Sequence, residues 1–279
     1  MKVSEITEYL LHIPSEKRTP TCDGLLVGTD DKEVKTLAVT FMLTLEVLER
    51  AIAAGADMIV THEPIYYGKD IPPQADDPVT ARRKHLLEDT GIAVFRYHDH
   101  AHLASPDFIH AGFMRTVDLG WDPDFYTQIS LGVAQYQLLT PLSVREICQR
   151  IRQKLGVTVK YMGNLDARVK KLALGLGSTD IGYTLLRDTD TNLFIGGEMH
   201  ELLGGEYARD AAYMNLDKCL LALGHYGSEY AGMRYLSEYL KANLDGVSVF
   251  FADGKEVFGF YEGKNVTPCE KQPIRPIIL

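Results

Sequence analysis

The apolar positions of this chain fall into short continuous runs separated by amphipathic stretches. Val34 to Phe41 is β-branched and apolar and predicts a buried strand. Thr44 stands where it can cap a helix carrying Val47, Leu48, Ala51 and Ile52, with Gly55 as its stop. Asp57 to Thr61 predicts a second strand, running into His62. A basic amphipathic helix follows from about Thr80 to Asp89, closed by Gly91, and Ile92 to Tyr97 predicts a third strand, running into His98. Strand alternating with helix places the chain in the α/β class, with mainly parallel sheets and helices on both faces.

The pattern continues with a strand and a helix between Gly132 and Leu155, with Ser143 as the cap. Lys171 to Leu176, Asn192 to Ile195 and Cys219 to Leu223 predict further strands. A last long helix is expected from about Ser228 to Leu244, with Met233, Leu236 and Leu240 at core spacing. From Asn265 onward the chain is rich in proline and reads as an extended arm. The Pro- and Asp-rich stretch from Gly120 to Tyr126 is the expected boundary between a first lobe over 1–126 and a second over 127–279. In the second lobe, the C-terminal part is expected to return to a site shared with the first.

Composition narrows the function classes. The net charge is −9 and no basic run is long enough to track phosphates, which argues against a nucleic-acid partner. No signal-like or membrane-spanning apolar run is present, so a cytoplasmic location without a membrane partner is the expectation. Cys22, Cys148, Cys219 and Cys269 are scattered, without the paired spacing of zinc or redox motifs, and read as reduced thiols.

Candidate chemistry collects on nine histidines. His62, His98 and His225 each end a predicted strand. Carboxyl ends of parallel strands share one edge, where ligand crevices form. One such histidine is ordinarily a polar cap on a loop; three of them suggest convergence. His62 is followed by Glu63 and Pro64, and both imidazole and carboxylate suit zinc, iron or manganese. His98, His100 and His102 lie on one side of the chain if that stretch is extended. Gly224-His225-Tyr226-Gly227-Ser228-Glu229 puts His225 at a strand end, Ser228 as helix cap, and Glu229 in the first helical turn. Gly196-Gly197-Glu198-Met199-His200 reads as a tight turn able to line the same crevice. Gly175-Leu176-Gly177-Ser178 lacks the lysine and spacing of a phosphate loop and reads as a turn.

Taken in order, Asp23-Gly24-Leu25-Leu26-Val27-Gly28, Ala56 to His62, Gly197-Glu198 and Gly224 to Glu229 resemble the NIF-three-like proteins, also called GTP cyclohydrolase type 2-like. The resemblance spans about Cys22 to Val249. It implies a toroidal homohexamer of two-lobed α/β protomers, each with a dinuclear metal centre facing an internal cavity. By position, the family's ligands fall on His62, Glu63, His102, His225 and Glu229. Two of these depart from the pattern: Glu63 replaces a histidine and His102 an aspartate, so the set of three imidazoles and two carboxylates is kept. The family's Asp-Asn dipeptide is Cys22-Asp23 here. One or two divalent ions per protomer are therefore expected.

Three readings compete on these observations, the third being a purely structural subunit that has lost its metal. One is a metal-dependent hydrolase acting on a small nucleotide-like or cyclic amide or phosphoester substrate, with Glu63, where it is not a ligand, as general base and His98, His100 or Tyr226 orienting the substrate or its proton. The second is a non-enzymatic metal-binding ring or metal-handling protein.

Overall fold

We describe residues 1–14, 16–71 and 77–259 of the computed structural model. The proline-rich arm expected from Asn265, and Cys269 within it, lie outside the described residues. In chain order the elements are α1 (Val3–His12), β1 (Gly24–Val27), β2 (Thr36–Thr40), α2 (Leu45–Ala53), β3 (Met58–Thr61), α3 (Pro78–Thr90), β4 (Ala93–Arg96), α4 (Asp99–Leu103) and α5 (Phe108–Val117). There follow β5 (Thr127–Ser130), β6 (Val133–Ser143), α6 (Val144–Leu155), β7 (Lys160–Met162), β8 (Arg168–Ser178), α7 (Gly182–Asp188) and β9 (Leu193–Glu198). The described chain closes with α8 (Glu206–Tyr213), β10 (Cys219–Ala222), α9 (His225–Asn243) and β11 (Ser248–Phe251).

The strands form two sheets. The first runs in the order β1-β4-β3-β2-β11 and is parallel apart from β1, which pairs antiparallel with β4. Its strands read as continuous apolar runs because both faces are covered. Leu37, Val39, Met58, Val60 and Phe95 point into the main core, which also holds Ile6, Phe113 and Met233. The alternate residues Ala38, Ile59 and Val94 face a second cluster that includes Val47 and Leu48 of α2 and Leu87 of α3.

The second sheet runs β5-β6-β8-β9-β10-β7. Here parallel pairing is confined to β8-β9-β10, while the β5–β6 hairpin, the β6–β8 pair and the edge strand β7 are antiparallel. The strands of this sheet all lie between Thr127 and Ala222, and β11 returns to complete the first sheet beside β2. Both sheets thus sit in an α/β architecture of two lobes flanked by helices.

Local signals set most boundaries. Thr44 accepts from the amide of Val47, Ser143 forms a capping box with Glu146, and Gly91 ends α3 at φ 58°. α3 begins before the expected Thr80 because Asp77 caps it and Pro78 takes its first position, where no amide is needed. Gly175 to Ser178 is the last part of β8 rather than a turn.

The two lobes meet along α9. Its Gly232 would place a Cβ 2.4 Å from the Cα of Ile109, and Gly112 of α5 would place one 2.5 Å from the carbonyl oxygen of Ala231. Only glycine on both helices permits this crossing, which fixes where the start of α9 stands relative to the first sheet.

Candidate metal centre

His62 leaves the carboxyl end of β3 fully buried, at 0 % exposure. Its Nδ1–H donates to the carbonyl of Tyr97 at 3.1 Å. That bond leaves Nε2 as a bare lone pair turned into the site. Arg96 Nε donates to the His62 carbonyl at 3.3 Å, and Asp70 holds the same guanidinium at 2.8 Å.

The stretch from His98 to His102 is helical, not extended. Asp23 collects the amides of His98, Asp99 and His100 at 2.7, 2.9 and 2.8 Å, and so winds α4. His98 and His102, four residues apart, therefore share one face. His100 turns away, its Nδ1 2.7 Å from Asp23 Oδ2. The His98 ring stacks on His62 at 4.4 Å, and His102 stands edge-on to both rings at 5.2 Å. His102 Nδ1–H donates to Asp107 Oδ2 at 2.9 Å. Asp107 Oδ1 meanwhile caps α5 through the amides of Ile109 and His110.

α9 begins at His225, earlier than the sequence suggests, because Gly224 takes φ 78°. Ser228 is accordingly inside the first turn and not its cap. Its Oγ donates to the His225 carbonyl and accepts from the amide of Gly177, pinning the helix to the end of β8. His225 and Glu229 then share a helical face. His225 Nε2 lies 3.1 Å from Glu229 Oε2 and 3.3 Å from Glu63 Oε1, and its Nδ1 lies 3.1 Å from Glu198 Oε1. Glu198 thus meets the outer edge of His225, and Gly196 to Glu198 is the end of β9 rather than a tight turn. A Cβ on Gly177 would sit 2.5 Å from Glu229 Oε1, and one on Gly197 would sit 2.2 Å from the carbonyl of Gly177. These glycines let the backbone approach the buried carboxylate.

The five positions His62, Glu63, His102, His225 and Glu229, with His98, are thereby gathered from β3, α4 and α9. Glu229 Oε2 is 3.7 Å from His62 Nε2, and its Oε1 is 3.9 Å from His102 Nε2. His98 Nε2 is 4.0 Å from Glu63 Oε1. Donor atoms of His62, His98 and His102 lie within 4.8 Å of one another, as do those of His62, Glu63 and Glu229. Glu63, His98, His225 and Glu229 line a cavity of about 230 Å³ whose other wall includes Ser130 and Gly132.

The donor set fits a cation. His62 Nε2 is buried and lacks a hydrogen-bond partner among the described residues. The buried Glu229 Oε2 beside it is met only by His225 Nε2, at 3.1 Å. With His62 Nδ1 carrying the proton, His62 Nε2 and Glu229 Oε2 are acceptors facing each other across 3.7 Å. The buried imidazole lone pair is left without a donor, which is costly, and a divalent ion between the two atoms satisfies both. Burial, reinforced by the charges of His98 and His102, holds His62 well below the usual imidazole range. Burial would also lower His225, but hydrogen bonds to Glu229 and Glu63 outweigh it and push it up to about 11. Burial likewise works against a charged His102, and the Asp107 carboxylate overrides it, to about 9. Glu63 would be raised by burial; its hydrogen bond to His225 and that cation's charge prevail, so it sits below the usual carboxylate range.

Sequence reasoning missed Asp107 and Glu198 as partners of these imidazoles and missed the capping role of Asp23. Asp107 carried a readable signal, an aspartate just before the apolar run Phe108 to Phe113.

Two α/β lobes meeting over a buried cluster of imidazoles and carboxylates define a two-lobed α/β protein with a potential metal-binding site. The chain belongs to the Duf34/NIF3 (NGG1p interacting factor 3) family, whose profile matches residues 1–256. It is 26 % identical over 248 residues to a Clostridium perfringens protein named GTP cyclohydrolase 1 type 2 homolog, covering 85 % of this chain and 90 % of that one. Its fold is similar to that of the Staphylococcus aureus hypothetical protein SA1388, with a TM-score of 0.74 at 18 % identity over 94 % of this chain and 99 % of that one. It is also similar to the solved protein ybgI, of unknown function, with a TM-score of 0.71 at 21 % identity over 92 % of this chain and 99 % of that one. Among the described residues no helix is long and apolar enough to cross a membrane.

Proposed function

We propose that this protein binds one or two divalent ions of the zinc, iron or manganese group through His62, Glu63, His102, His225 and Glu229, and that its first role is to hold or hand on that metal. The observation that carries the reading is the buried, unpartnered lone pair of His62 Nε2, which faces the Glu229 carboxylate at 3.7 Å. Two overlapping donor triads that share His62 support room for a second ion. By its family resemblance the protein forms a homohexameric ring, which sedimentation of the purified chain tests directly.

A hydrolytic role is the second reading, and the cavity of about 230 Å³ beside Glu63 and His98 favours it. The name of the Clostridium perfringens relative points to a nucleotide-like substrate. When bound, a divalent ion supplies Lewis acidity toward a substrate oxygen and toward water. His98, fixed through Nδ1 at 3.0 Å from Asp99, would present Nε2 to the cavity and orient a substrate. Glu63 is held ionised by His225, which makes it a good ligand and a weak base. That balance favours metal holding over catalysis.

Elemental analysis of the purified protein and of a His62→Ala, His225→Ala double variant tests the centre. The native chain should carry zinc, iron or manganese, and the variant should lose most of it. Unchanged metal content removes the assignment. Turnover of a panel of nucleotides, phosphodiesters and cyclic amides with each metal added then separates hydrolase from holder.

A further inference from the structure

His98 has two edges, and only one faces the centre described above. Its Nε2 edge looks toward Glu63, while Nδ1 lies 3.0 Å from Asp99 Oδ1. The same Asp99 oxygen lies 3.5 Å from the sulfur of Cys22. Donor atoms of all three residues fall within 4.8 Å of one another. In a tetrahedral zinc site with the usual metal–sulfur and metal–oxygen bonds, sulfur and oxygen ligands are about 3.5 Å apart, and nitrogen and oxygen about 3.3 Å. The two edges at Asp99 Oδ1, 3.0 and 3.5 Å, need only small adjustment to meet those values, and the sulfur and nitrogen lie within 4.8 Å of each other.

The surroundings hold these ligands in place. Asp99 Oδ2 is taken by the hydroxyl of Thr21 at 3.0 Å and by Arg18 Nε at 3.2 Å, which leaves Oδ1 for the site. Asp23 Oδ1 anchors the backbone amides of both His98 and Asp99. Oriented ligands with supporting hydrogen bonds are what distinguish a built site from a chance cluster.

A Cys, His and Asp together also suggest a nucleophile with its base. That reading fails on geometry, because no hydrogen bond joins Cys22 to His98 and the thiol is directed at carboxylates instead. Burial and those carboxylates push the thiol up to about 12, against the thiolate such a nucleophile needs.

We propose that Cys22, His98 and Asp99 form a second, distinct metal site of thiolate, imidazole and carboxylate donors, suited to zinc. Three protein ligands leave the fourth position open to water, so zinc here exchanges more readily than in a closed structural site. The site stands apart from the reading of the previous subsection, since it uses the other edge of His98 and neither Glu229 nor His225. Its sequence signal was hidden because Cys22 and Asp99 are 77 positions apart.

Cobalt(II) added to the full-length, metal-stripped protein tests it, because a cysteine ligand produces a near-ultraviolet charge-transfer band that nitrogen and oxygen ligands do not. The native chain should show the band. Cys22→Ser should abolish it and lower the bound metal by one equivalent, whereas His225→Ala should leave it intact. Thr21→Val, which loosens Asp99, should weaken zinc binding by about 10–100-fold. Absence of the band in the native chain, or its survival in Cys22→Ser, overturns the proposal. Should Cys22→Ser not fold, the native chain still decides: zinc should protect Cys22 from alkylation while Cys148 reacts unchanged, and equal labelling of Cys22 with and without zinc counts against the site. Loss of metal from the His62 centre with the cobalt band retained refutes only the earlier reading.

Discussion

A proton on His225 offsets the two flanking carboxylates as the charge of a metal ion would. The imidazole stands between Glu63 and Glu229 at 3.3 and 3.1 Å and is held protonated by them, up to about 11. His102 is raised to about 9 by Asp107. Both imidazoles therefore carry a proton at neutral pH, and both must give it up to ligate. Metal binding should release protons, and affinity should climb as pH rises from about 6 toward 9, because both imidazoles hold their protons above the usual imidazole range. Calorimetric titration with zinc in buffers of different ionisation enthalpy measures the released protons directly. An affinity independent of pH over that range would exclude His102 and His225 as ligands. Asp107 offers a second test at the same scale. Its carboxylate both aims His102 and caps α5, so Asp107→Asn should keep the cap while weakening the grip on His102. The expected loss is about 10–100-fold in metal affinity, with little change in helix content by circular dichroism.

The strands that carry this site are legible from sequence, and the turn that completes it is not. Asp57 to Thr61 and Ile92 to Tyr97 announce themselves as largely apolar runs because both faces of the first sheet are covered. The histidines at their ends follow from the same pattern. Alternation along His98, His100 and His102 suggests an extended segment, yet Asp23, 77 positions from His100, supplies the acceptors that wind it into a helix. No local pattern contains that contact. Gly177 and Gly197 are similar: alone they look like turn residues, and only the buried Glu229 beside them explains their size. Edge strands such as β5 and β7, exposed on most positions, give almost no apolar signal. The α5–α9 crossing shows how far an element-level constraint reaches into the site. A methyl group on Gly112 would overlap the backbone of Ala231 and Gly232. Gly112→Ala should cost about 1–3 kcal/mol by overpacking, read as a lower midpoint in urea unfolding. Because α9 carries His225 and Glu229 at its start, the same variant should bind metal more weakly. Undiminished stability would mean that the two helices have room to part.

At the scale of the whole molecule, the chain crosses between its lobes more than once and the main core does not respect them. One continuous cluster holds Val3 and Ile6 of α1, Val60 and Phe95 of the first sheet, Leu172 and Ile195 of the second, and Met233 and Leu240 of α9. The first sheet is unfinished until β11 returns to β2 after the second sheet is complete. Neither lobe can be peeled away without exposing the residues that α9 buries between them. The candidate centre spans the same seam, with His62 and His102 from the first lobe meeting Glu229 of α9. A ligand that binds only the folded state stabilises it by an amount set by its concentration relative to its dissociation constant, about 2.7 kcal/mol at a hundredfold excess over that constant. Metal should therefore raise the unfolding temperature of the entire chain and keep a single transition, and chelation should lower that transition without splitting it. Differential scanning calorimetry with zinc and with excess chelator distinguishes the cases. Two transitions, only one of which moves with metal, would show that the lobes unfold separately and that the shared core does not couple them.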